Sequence, residues 1–166
     1  MSYRKDGYLK RTEIVLPTSR RRKETPYVVI ECIERIPCDP CVAACPKDAI
    51  KIDGGIVEIP RVDYELCNGC LSCIALCPGL AIFVIDETFS ATEGLVSIPY
   101  EFLPRPKKGE EVIALNRKGE VAGRAIVHRV IDTKKYNRCA IVTLRVRKEL
   151  VGDVRFFKRK ENCLSM

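Results

Sequence analysis

The chain has 166 residues, 46% hydrophobic and 31% charged, enough for one or two small domains with cores of their own. No apolar run approaches the roughly 18 residues that cross a bilayer, the longest being Gly79 to Ile85, so no membrane span is expected and a cytoplasmic protein is. The net charge of +7 is segregated: residues 1–25 carry eight Lys and Arg against three Asp and Glu, residues 26–104 four against twelve, and residues 105–160 seventeen against six.

The first segment, residues 1–25, is too polar for a signal peptide. Its basic run Ser19-Arg-Arg-Arg22 leads into Lys23, Glu24 and Thr25 rather than an apolar stretch, and it reads as a solvated basic arm. Residues 26–94 form an acidic module holding two similar cysteine runs. One is Cys38-Asp-Pro-Cys41-Val-Ala-Ala-Cys45-Pro46, the other Cys67-Asn-Gly-Cys70-Leu-Ser-Cys73-Ile-Ala-Leu-Cys77-Pro78. Cysteines at this spacing ligate metal and must stay reduced to do so, which argues against a disulfide scaffold.

Laid on itself at an offset of 32 residues, the chain superposes Cys38, Cys41, Cys45, Pro46, Ala49 and Ile50 on Cys70, Cys73, Cys77, Pro78, Ala81 and Ile82. Val42 to Ala44 and Ile74 to Leu76 suit single helical turns. A strand candidate follows each Cys-Pro, Ala49 to Ile52 and Ala81 to Ile85. The first runs into Asp53-Gly54-Gly55, a hairpin signal, and is expected to return as Ile56 to Ile59 before Pro60 ends it. One slot of the repeat is broken: Arg35 stands opposite Cys67, and Cys32 lies six residues before Cys38 instead.

Residues 95–107 include Ile98-Pro99-Tyr-Glu-Phe-Leu103-Pro104-Arg-Pro106 and read as an extended linker, because each proline pushes its predecessor out of the helical region. Residues 108–166 form a basic, β-rich domain. Its strands are expected at Val112 to Leu115, Val121 to Val130 and Ala140 to Val146, with turns at Asn116 to Gly119 and Thr133 to Asn137, and with Arg147 to Phe157 as a short helix or last strand. Cys139 packs as a small hydrophobe, Cys163 is a free thiol, and His128 takes a strand-surface position. Tyr100, Phe102, Tyr136, Phe156 and Phe157 do not form an obvious base-stacking pattern, so nucleic acid is disfavoured as a partner in spite of the charge. No acid–base, nucleophile or phosphate-loop pattern stands out, and catalysis by this chain alone is not expected.

The run Cys67 to Pro78 reads C-x2-C-x2-C-x3-C-P, and residues 26–86 resemble a two-cluster bacterial-type ferredoxin domain. The resemblance implies two [4Fe-4S] clusters with crossed ligation, Cys45 joining Cys67, Cys70 and Cys73, and Cys77 joining Cys38 and Cys41. Cys32 is the foremost candidate for the missing fourth ligand, since five intervening residues reach easily and Pro37 stiffens the widened loop. The competing readings are a three-cysteine [3Fe-4S] cluster and a buried structural thiol at Cys32; Asp39 is a poorer, oxygen ligand. The fold class implied is α+β, a two-cluster ferredoxin-type domain followed by a small antiparallel β-module, barrel or sandwich.

More narrowly, the widened loop Glu31-Cys32-Ile-Glu-Arg-Ile-Pro-Cys38-Asp-Pro-Cys41, the segment Ile98-Pro-Tyr-Glu-Phe102 and the basic β-module resemble the small iron-sulfur subunit that accompanies FAD-dependent dehydrogenases of the proline, hydroxyproline and sarcosine type. That likeness implies an electron-transfer subunit of a hetero-oligomer, with FAD or FMN on partner subunits and not on this chain. An autonomous ferredoxin, a subunit of an unrelated oxidoreductase and a nucleic-acid-binding iron-sulfur protein are the alternatives.

Overall fold

The unbroken apolar run Ile82-Phe83-Val84-Ile85 has two cores to fill, because side chains alternate across a strand and both faces of this one are covered. In the computed structural model, which describes residues 3–136 and 139–160, nine strands lie among the described residues: β1 Tyr27–Ile30, β2 Ile50–Lys51, β3 Arg61–Val62, β4 Ile82–Asp86, β5 Glu93–Tyr100, β6 Glu111–Asn116, β7 Val121–Ile131, β8 Ala140–Arg147 and β9 Val154–Arg159. Seven of them form one antiparallel sheet in the order β1-β4-β5-β8-β7-β6-β9, while β2 and β3 pair separately. The α-helices, α1 Tyr3–Asp6, α2 Ser19–Arg22 and α3 Pro40–Ala43, have four residues each, so the helical part of the expected α+β fold amounts to single turns. None of the described helices is long and apolar enough to cross a membrane.

The large sheet coils, bringing its far strand back across its first ones. In β9, Phe157 stacks on Tyr100 of β5 at 5.0 Å and the Arg155 guanidinium lies 5.0 Å over the Phe83 ring of β4. Tyr27, Val29, Phe83, Ile85, Val96, Ile98, Leu144 and Phe157 fill the space enclosed. On the other face Val28, Ile82, Val84 and Ile141 pack with Ala49, Ile50 and Ile74 of the cysteine-bearing lobe. Burying side chains of this size is worth roughly 1.5–3 kcal/mol each, so the Ile82 and Val84 face of β4 contributes strongly to holding the lobe on the sheet.

The repeat survives in the backbone. Ile30 pairs with Ile82 and Val62 with Ile50, which is the same pairing displaced by 32 residues with the two strands exchanging roles. Three expectations need correction. The chain does not return from the Gly54-Gly55 turn as a strand at Ile56 to Ile59. Instead the Ile56 carbonyl accepts from Cys38 N, Ile56 and Val57 stay exposed, and pairing resumes only at Arg61, past Pro60. The stretch 95–107 is not all linker, since its first part is the inner strand β5, in which Val96, Ile98 and Tyr100 are buried. The basic arm is not simply solvated either: Arg21 is 7% exposed and Arg22 reaches Glu87, which accepts a 2.6 Å hydrogen bond from Tyr27.

In the β-module, β6, β7 and β8 fall where alternation puts them. The Asn116 side chain accepts from Lys118 N and Glu120 N, and Gly119 takes φ +78°, which closes the β6–β7 turn. Arg147 to Phe157 splits between a 3-10 turn, Lys148–Leu150, and β9. His128 sits at a bulge between β7 and β8, edge-on to Phe89 at 5.3 Å. Cys139 is 3% exposed and packs among apolar neighbours, and Cys163 lies outside the described residues.

Candidate metal centre

Each cysteine run is shaped by the turn that ends it. Asp48 and Leu80, equivalent in the repeat, take φ of 50° and 51°, and this left-handed step aims the next amide at a sulfur: Ala49 N lies 3.3 Å from Cys45 Sγ and Ala81 N 3.4 Å from Cys77 Sγ. An N–H donated to sulfur stabilises the thiolate, the form in which cysteine ligates. Upstream, Pro40 opens α3 at a position that needs no N–H, and Cys45 N and Cys77 N close matching turns onto the carbonyls of Val42 and Ile74.

The second run turns at Gly69, φ +66°, where a Cβ would come within 2.6 Å of Pro26 Cβ and 2.9 Å of its carbonyl carbon. Gly69→Ala is therefore expected to destabilise the protein by about 1–3 kcal/mol or more and to lower the iron retained. Iron analysis after anaerobic gel filtration, with a thermal melt, checks this. Wild-type iron and an unmoved melting temperature would show that Pro26 yields.

The cysteines face two cavities. Cys45, Cys67, Cys70 and Cys73 line one, walled by Val28, Ala49, Ile50, Leu71 and Val84. Cys32, Cys38, Cys41 and Cys77 line the other, with Ile30, Ile36 and Ile82 in its wall. Each takes three cysteines from one stretch of chain and one from the other. Cys32 is brought to the cavity of Cys38, Cys41 and Cys77, whereas Asp39 and Arg35 do not line it. Among the described residues no three His, Cys, Asp or Glu side chains converge as for a single ion; the sulfurs surround a space instead.

Burial, then the neighbouring Cys67, Cys70 and Cys45 sulfurs, pushes Cys73 up to about 12, and burial with Cys77 and Cys38 pushes Cys41 to about 11. Cys32 is raised as well, mainly by burial. Thiols this reluctant to ionise, crowded onto one another, need a multiply charged cation to become thiolates, so the donor set suits iron-sulfur clusters. Residues 31–81 match the 4Fe-4S dicluster domain.

The chain also resembles curated proteins over part of its length. It is 38% identical over 63 residues to the ferredoxin-type protein NapF of Haemophilus influenzae, which covers 36% of each protein. It is 46% identical over 50 residues to the B subunit of polysulfide reductase from Wolinella succinogenes, 30% of this sequence and 25% of that one. With the pyruvate synthase subunit PorD of Thermotoga maritima it shares 38% over 65 residues, 39% of this sequence and 61% of the relative. The chain thus spans less than two-thirds of each of these relatives. No solved structure gives a significant match to it.

Two features around the dicluster domain have no local signal in the sequence. Glu31, next to Cys32, receives Arg117 Nε and Nη2 at 3.0 and 2.7 Å and Arg155 Nε at 2.6 Å, and all three side chains are 10% exposed or less. These arginines come from the β6–β7 turn and β9, so the β-module clamps the first cysteine loop. Arg21, from the basic arm, donates to the carbonyl of Cys67. The other is a gathering of aromatic residues, with Tyr100 and Phe157 buried in it. Tyr100, Phe102, Phe156 and Phe157 gather into one cluster with contacting centroids 5.0 to 5.9 Å apart; Tyr100, Phe156 and Phe157 stack, and Phe102 meets Tyr100 tilted and Phe156 edge-on.

Proposed function

We propose that this chain is an electron-transfer subunit carrying two [4Fe-4S] clusters, one ligated by Cys45, Cys67, Cys70 and Cys73 and the other by Cys32, Cys38, Cys41 and Cys77. The observation that carries the reading is the pair of cysteine quartets, each drawn from both repeats around one apolar cavity. When bound, each cluster supplies reversible one-electron redox capacity. The chain's residues do the rest. Ala49 N and Ala81 N donate to ligand sulfurs, Val28, Ile82 and Val84 keep water from the inner walls, and Cys70, the exposed cysteine of the two quartets, brings one quartet to the surface.

The partner we propose is a flavoprotein dehydrogenase of amino or imino acids of the proline, hydroxyproline or sarcosine kind, in a cytoplasmic hetero-oligomer, with FAD or FMN on its own subunits. Support comes from the widened loop Glu31 to Cys41, from Ile98 to Phe102, which the fold uses in and just beyond β5, and from a β-module far larger than a shuttle requires. Two relatives are named as components of a reductase and of a synthase, which supports the subunit reading in general. Exposed Lys107, Lys108, Lys134, Lys135, Lys158 and Lys160 suit docking to an acidic partner surface.

Reconstitution tests this. Mixed anaerobically with its flavoprotein subunits and substrate, the subunit should lose visible absorption as its clusters are reduced, and alone it should turn over nothing. If the flavoprotein reduces its acceptor equally fast without this chain, or the chain alone oxidises substrate, the relay reading fails.

A further inference from the structure

The basic arm places one full positive charge inside the protein beside a single quartet. Arg21 donates from Nε to Tyr64 O at 2.8 Å, from Nη1 to Thr25 O at 3.0 Å and from Nη2 to Cys67 O. Every one of these partners is a neutral carbonyl, and among the described residues no carboxylate pairs with it, although it is 7% exposed. Contrast Arg155, equally buried, whose charge meets Glu31. A buried cation without a counter-ion is costly, so its position beside a cysteine of the quartet needs an anion there.

We propose that Arg21 is the counter-charge of the centre held by Cys45, Cys67, Cys70 and Cys73, and that it makes this the higher-potential of the two sites, where an electron entering the subunit comes to rest. The inference rests on the proposed cluster-carrying function. Reduction adds one electron, from a flavin of the partner or from a low-potential viologen in vitro, and requires no proton or bond change. It makes the thiolate-ligated group more negative by one charge, which a fixed cation in a low-dielectric site favours.

Arg21 stands behind Cys67, outside the lining, and the lining itself agrees in sign. Lys47 borders this cavity, whereas Glu34 and Glu58 border the cavity of Cys32, Cys38, Cys41 and Cys77. Burial of Cys67 and Cys73 opposes reduction, but exposed Cys70 limits that desolvation, and Cys41 is buried to the same degree at the other site. What distinguishes the two is that Arg21 meets no carboxylate among the described residues, whereas Arg117 and Arg155, beside the other site, meet Glu31 and Asp153. Arg21 also gives the N-terminal arm a task that its sequence alone does not suggest.

An EPR-monitored redox titration of the anaerobically purified full chain with viologen mediators tests the proposal. Two waves are expected, and Cys70→Ser should abolish or shift the one at higher potential. Arg21→Met, which keeps the apolar stem, should weaken reduction of that site roughly tenfold, about 59 mV for a one-electron couple, and leave the other wave in place; Arg21→Lys should restore most of it. If Cys70→Ser instead alters the lower wave, or Arg21→Met moves neither wave or both alike, the assignment is overturned. Should Arg21→Met fail to keep its iron, the wild-type and Cys70→Ser titrations still decide the order of the sites. A wild-type chain without iron overturns the proposed function itself, and this inference with it.

Discussion

Cys32→Ala should remove one cluster and spare the other, lowering iron from about eight per chain to about four. The two cavities share no cysteine, so damage to one quartet leaves the other's ligands in place. Cys32 is half-buried on the wall that Cys38, Cys41 and Cys77 also line, and alanine leaves no donor atom there. Loss of half the iron and sulfide, with one EPR signal surviving in the reduced protein, is the expected result. An intermediate value near seven iron with a changed signal would point to a three-iron cluster at this site. Full iron with both signals would make Cys32 a structural thiol and end its role as a ligand.

Such a forecast was within reach of the sequence because cluster ligands are set by short loops. Cysteine spacing is local information, and the offset that aligns Cys38 with Cys70 also aligns the strand register, Ile30 with Ile82 and Val62 with Ile50. Alternation exposed β6, β7 and β8 for the same reason. Proline misled the reading of residues 95–107. Strand β4 pairs with β5 only as far as Ser97, so Pro99 falls where one side of β5 has no neighbouring strand, and there a missing N–H is tolerated.

Contacts between distant parts of the chain left no trace in any window of sequence. Arg21 meets Cys67 across 46 residues and Arg155 meets Glu31 across 124. Nothing separates Arg21 from Arg20, which is exposed and pairs with Glu24, except where the fold points each of them. The aromatic cluster is similar: Tyr100 and Phe157 become neighbours because the sheet coils, and coiling is a property of all seven strands together.

Glu31→Gln should destabilise the protein by about 3–5 kcal/mol, the range for removing one partner of a buried ion pair. Glutamine keeps the shape of the side chain but not the charge that two arginines share. Arg117 and Arg155 would then stay 9% and 6% exposed with only Asp153, 3.5 Å from Arg117 and 43% exposed, to answer them. Burial already lowers the proton affinity of Arg155, against which Glu31 works. Its other contacts, the carbonyls of Val151 and Val154 and the Phe83 ring, carry no net charge. The effect should reach the metal centre, because Glu31 is the residue before Cys32 and its amide is tied to Ala81 O at 2.8 Å, beside the turn of Cys77. Anaerobic denaturant unfolding of the variant should show the midpoint falling, with iron lost first from the site of Cys32, Cys38, Cys41 and Cys77. A variant as stable as wild type would mean that water or Asp153 satisfies both arginines, and that the sheet holds the cysteine lobe through its apolar contacts alone.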